Sequence, residues 1–201
     1  MKPTDILSQE HRVIERVLTC LEWMAERCES SQVLNTVDAE QAVDFFRTFA
    51  DQCHHKKEET HLFPALEAKG FSRENGPTGV MLYEHEQGRG FIRGMVDSLP
   101  AAGSGERDAQ KRFVQSARHY IDLLRQHIQK EDHCLFMMAN QALSAAEQQQ
   151  LTDAFTEVER EHIGPGTHEQ YLQIANELAA RYGVPVSSSS VRPGPGCGCG
   201  H

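Results

Sequence analysis

Apolar residues recur along this chain at helical spacing. Ile6, Leu7, Ile14, Leu18 and Leu21 form one stripe, which predicts an amphipathic helix capped by Thr4-Asp5 and running to about Cys28. Asp38 with Gln41 three residues on resembles a capping box and opens a second helix carrying Ala42, Phe46, Phe49, Ala50, Leu62 and Leu66. Pro64 predicts a kink in it, and Gly70 a stop. After the turn "NGPTG", Pro77 and Thr78 open a third helix through Leu99, with Met81, Leu82, Ile92 and Val96 on one side. "PAAGSGE" (100–106) predicts a loop. A fourth helix follows from about Arg107 to Ala142, with Phe113, Tyr120, Leu124, Leu135 and Met138.

Ser144 with Glu147 makes another capping box, for a shorter helix to about His162. "GPGTHEQ" breaks it, and a last helix runs to about Tyr182. No stretch reads as a strand. Short connections between long helices predict an all-α fold, an up-down-up-down four-helix bundle. The expected organisation is a bundle over residues 1–142, a helical extension over 143–183 and a Ser/Gly/Pro/Cys tail over 184–201. That tail lacks the apolar residues to build a core and is expected to be disordered.

Composition narrows the function classes. The 201 residues are 39% hydrophobic and 24% charged, ordinary for a globular chain. The net charge of -9 argues against a nucleic-acid partner, which calls for clustered Lys and Arg. No run is long and apolar enough for a membrane span, and "MKPTDILSQEHR" holds no apolar signal core. Cytoplasmic residence is the expectation, with the 6 cysteines as thiols. The 11 histidines are many for this length, so their placement matters.

That placement repeats. "HHKKEETHLF" (54–63) and "HIQKEDHCLF" (127–136) share H-x-x-K-E-[ED]-x-x-L-F, 73 residues apart, and "EH" recurs at His11 and His85, 74 apart. The chain therefore reads as two helical hairpins, each with an E-H helix followed by an H-x-x-K-E helix. Residues four apart share a helix face, so His54 pairs with Glu58 and His127 with Glu131, on faces that also carry apolar residues. Buried imidazoles and carboxylates need partners or a metal. A lone histidine on an apolar face is more often a hydrogen-bonded core residue, but six groups at matching positions point to a shared centre. His11, His54, Glu58, His85, His127 and Glu131 offer an N/O donor set that suits Fe, Mn or Zn better than Ca or Mg. Two carboxylates between histidine clusters are placed to bridge two ions.

H54-x-x-x-E58 and H127-x-x-x-E131, each preceded by a single histidine on the helix before, resemble the hemerythrin-like (HHE cation-binding) family over roughly residues 4–142. The resemblance implies a four-helix bundle with a non-haem di-iron site. It implies a small-molecule ligand (oxygen, peroxide or nitric oxide) and a role in sensing, stress defence or iron homeostasis. By motif match the iron ligands are His11, His54, Glu58, His85, His127 and Glu131, with both glutamates bridging. Two departures set the chain apart from the oxygen carriers. Met81 stands where they have a second histidine on helix three, and Glu131 rather than Asp132 is indicated by the repeat.

A seventh ligand is expected from His55, Glu15, His61 or His168, with a Glu15–Arg89 ion pair as the plainer role for Glu15. Lys57 and Lys130 read as edge residues snorkelling to solvent, Tyr120 as a core aromatic or a hydrogen-bond donor near the centre. A ferritin-like oxidase is the alternative, from Glu58-x-x-His61 and Glu159-x-x-His162; a metal-stabilised interaction module is another. Cys197, Cys199 and His201 offer soft ligands in the tail.

Overall fold

The computed structural model describes residues 1–164 and 166–185, without the side chains of His162 and Ile163. Cys197, Cys199 and His201 lie outside the described residues. Six helices and no strand are present among those described. Helix α1 is Pro3–Ser31. Helix α2 is continuous from Thr36, in the segments Thr36–Phe45, Phe46–His55, Glu58–Leu62 and Phe63–Glu67. Helix α3 is Pro77–Gly103. Helix α4 joins Arg107–Lys130, Glu131–Leu135 and Phe136–Ala142. Helix α5 joins Ala145–Val158 and Glu159–Ile163, and α6 is Thr167–Tyr182.

The helix starts follow local chemistry. Asp5 accepts from the Lys2 backbone N–H at 2.8 Å, so α1 starts ahead of Thr4. The α2 cap is Asn35, whose Oδ1 accepts from Asp38 N at 3.3 Å; the expected Asp38 cap is inside the first turn. The Ser144–Glu147 capping box is present. The loop expected from Pro100 is instead helix to Gly103, because Leu99 and Ala102 are buried in the core and hold the last turn. Gly70 ends its segment at φ +93°, a backbone region that favours glycine.

Helices α1 to α4 alternate in direction. Helix α3 packs along α4, α1 packs on α4, and α2 packs on α3. At Gly94 the α3 backbone comes so close to α4 that an added Cβ would stand 2.5 Å from Ser116 Oγ. The α5–α6 pair lies over the α1–α2 side and touches both of those helices.

The core is in two apolar slabs. The larger gathers Leu18, Leu21, Phe45, Phe46, Phe49, Phe113 and Leu124. The smaller gathers Leu7, Leu62, Phe63, Met81, Leu135 and Phe155. Between the two, in sequence and in space, lies a buried polar layer. No described helix is long and apolar enough to cross a membrane.

Candidate metal centre

The polar layer is where two helices, α2 and α4, leave regular α geometry. His54 and His55 close the wide π-helical stretch Phe46–His55, Glu58 opens the stretch Glu58–Leu62, and Glu131 opens Glu131–Leu135. In such turns the hydrogen bonds run i→i+5 and each residue advances less around the axis. Neighbouring residues can then share an inward face. Pro64 sits at the head of the α segment that follows, where its missing N–H is tolerated.

All six predicted groups are buried, each 1% exposed or less. They fall into two groups whose ligand atoms lie within 4.8 Å of one another: His11, His54, Glu58 and Glu131; and His55, Glu58, His85 and His127. Glu58 belongs to both. Glu131 Oε2 is 3.3 Å from His11 Nε2 and 3.2 Å from His127 Nε2, so it too stands between the halves. Of the four residues considered for a seventh position, only His55 enters either of these two groups. Its ring stacks on His85 at a centroid distance of 3.8 Å. Glu15 pairs with Arg12 at 2.6 Å, not with Arg89. His61 faces Phe155 on α5, and His168 faces Glu10. Cys134 is exposed.

The outward nitrogens of the imidazoles are held by carboxylates. Nδ1 of His11 donates to Asp132 at 2.9 Å, that of His54 to Glu10 at 2.9 Å, that of His85 to Glu59 at 2.7 Å and that of His127 to Glu84 at 2.9 Å. His55 Nδ1 is 3.5 Å from Asp51. Each of these hydrogen-bonded carboxylates is adjacent in sequence to an inward group on its own helix: Glu10 to His11, Glu59 to Glu58, Glu84 to His85, Asp132 to Glu131. Cations then fix the carboxylates. Lys57 binds Glu10, Lys130 binds Glu84, Arg12 binds Asp132, and Arg89 joins Asp51 to Glu59. This pattern leaves Nε2 lone pairs pointing inward, which is how metal-binding imidazoles are set.

Lys57 is a correction to the expectation of an edge residue. It is fully buried, because its ammonium is enclosed between Glu10 and Glu159 of α5. Lys130, at the matching repeat position, has a side chain 42% exposed.

The layer is short of hydrogen bonds. His11 Nε2, His54 Nε2, both nitrogens of His55 and all four oxygens of Glu58 and Glu131 are buried without a hydrogen-bond partner. Only a Glu67 oxygen and the Tyr120 hydroxyl share that condition among the described residues. Each such atom costs about 1–3 kcal/mol if left unsatisfied. His85 Nε2 and His127 Nε2 face each other at 3.1 Å.

Proton affinities report the same strain. Burial pushes His54 down to about 3 and lowers His55 and His85. Burial and the Glu131 charge push Glu58 well above the carboxylate range. Burial opposes the charge on His127, yet Glu131 and Glu84 raise it to about 9. Glu131 is held low against its burial by His127 and His11. Cations between the imidazoles and carboxylates would let both glutamates ionise and would use every inward lone pair. The donor set therefore fits a pair of ions.

Comparison with known proteins supports cation binding and does not bear on the number of ions. The hemerythrin HHE cation binding domain matches residues 2–139. Uncharacterized proteins of Mycobacterium bovis and Mycobacterium tuberculosis are 22% identical over 182 residues, covering 90% of this chain and 70% of theirs. No solved structure gives a significant match.

Proposed function

We propose a non-haem di-iron centre for this chain, which belongs to the hemerythrin HHE cation-binding domain family. The carrying observation is the pair of four-residue groups sharing Glu58, with the inward atoms of His11, His54, His55, Glu58 and Glu131 unpartnered. His11 and His54 would hold one ion and His55, His85 and His127 the other. Glu58 and Glu131 would bridge. His55 thereby supplies what Met81, apolar and buried in the smaller slab, does not.

Five imidazoles and two carboxylates would leave an iron pair short of protein ligands, so a small molecule would find room to bind there. Iron there would supply reversible binding or redox chemistry toward oxygen, peroxide or nitric oxide. The chain's own contribution is orientation and exclusion. The carboxylate on each Nδ1–H fixes the tautomer and keeps Nε2 a lone-pair donor. Phe136 stacks on His11 at 5.4 Å, and Phe63 on His85 at 5.9 Å, closing the layer on the side of the smaller slab. The biological role is accordingly sensing, stress defence or iron homeostasis.

The test is anaerobic loading with ferrous iron, metal analysis, then titration with oxygen, peroxide and nitric oxide. Two irons per chain, with a visible absorption band that changes with one of the three, is the expected result. A colourless chain holding a single zinc sinks the proposal.

A further inference from the structure

The two hairpins build the same outer relay, but only one of them is continued by the C-terminal helices. On the α3–α4 side, His127 donates to Glu84 at 2.9 Å and Lys130 binds the same carboxylate. On the α1–α2 side, His54 donates to Glu10 at 2.9 Å and Lys57 binds it likewise. Beyond that point the halves differ. Lys57 Nζ also donates to Glu159 Oε1 of α5 at 2.5 Å, and His168 Nε2 of α6 lies 3.6 Å from Glu10 Oε1.

Glu10, Glu159 and His168 are close enough together to hold a cation. The Lys57 ammonium already stands between the two carboxylates and supplies the positive charge. The cluster is therefore a clamp on Glu10. Both Glu10 oxygens are engaged, Oε2 by His54 and Oε1 by Lys57 and His168. A Glu10 carboxylate held at both oxygens fixes the ring of His54.

We propose that Glu159 and His168, outside the matched residues 2–139, are positioning residues for the metal position of His11 and His54 and leave the His55–His85–His127 position unaffected. This rests on the di-iron reading above. The C-terminal pair thus adds to the difference in imidazole number between the two positions, one clamped and one open to adjustment through a half-exposed lysine.

The experiment compares full-length Glu159→Gln and His168→Gln with the unmodified chain, loaded anaerobically with ferrous iron enriched in the Mössbauer isotope. Chelator competition reads affinity, and Mössbauer spectra read each ion. Removing a carboxylate that orients a metal-binding imidazole costs 10–100-fold in affinity. One step further out, about 3–10-fold is expected for one ion only, with its doublet shifted and the other unchanged. Glu159→Asp, which keeps the charge, should recover part of the loss. Glu84→Gln should shift the other doublet. Equal weakening of both ions, or no change in either while the unmodified chain binds two, overturns the proposal. Should Glu159→Gln loosen α5 as a whole, His168→Gln on the separate α6 must still give the one-ion signature or the proposal fails. An unmodified chain that does not take up two ions is a failure of the di-iron reading itself.

Discussion

The α1–α2 hairpin and the α3–α4 hairpin carry the same pattern and meet different surroundings. Both place a glutamate before the first histidine, and both send that glutamate to the imidazole of the following helix. Lys57 and Lys130 occupy the same repeat position, yet one is fully buried and the other has a side chain 42% exposed. The difference comes from α5 and α6, which pack on the α1–α2 side. A repeat in sequence therefore specifies the inner groups twice, while the covering elements decide how strongly each copy is held.

The largest expected effect comes from the residue the halves share. Glu58→Ala removes a donor from both groups and should abolish two-ion binding, read as iron per chain. A variant still saturating at two ions would break the bridging assignment. Next come the neighbours His54 and His55. They serve different groups, so His54→Ala and His55→Ala should each cost one ion, and metal analysis with spectra should show different ions lost. Identical losses would mean that the two groups do not act as separate positions.

Smaller again is the lysine pair, read in stability of the metal-free chain. Lys57→Met leaves Glu10 and Glu159 without their cation and should cost about 3–5 kcal/mol. Lys130→Met breaks a partly exposed pair and should cost about 1 kcal/mol or less. Denaturant midpoints check both, and equal losses would erase the asymmetry. The smallest effect is Glu15→Ala, which removes a surface pair with Arg12 and should change stability by about 0.5 kcal/mol or less without touching metal uptake.

The helices were legible because each carries its own period and punctuation, as at Ser144–Glu147 and Gly70. Pro100 misled because a local breaker was overruled by burial of Leu99 and Ala102. The six buried groups were picked out by the repeat, at 73 residues for His54 and Glu58 and at 74 for His11. His55 was not singled out, because it has no repeat partner: position 128 is Ile128, buried in the larger slab. Regular α geometry sets it a quarter-turn away from His54, and the wide turn ending at His55 is not written in any apolar period. Glu10, Glu59, Glu84 and Asp132 look like ordinary helix-surface charge until the neighbouring helix is placed. A signal was present nonetheless, since each adjoins an inward group in the sequence. The burial of Lys57 depends on α5, whose docking side no local pattern states.

The central claim is two positions built from seven groups, and counting ferrous ions tests it most directly. Anaerobic titration of the full chain should saturate at two ions, and of His55→Ala at one. Saturation of the unmodified chain at one ion or none, or of His55→Ala at two, would contradict the account.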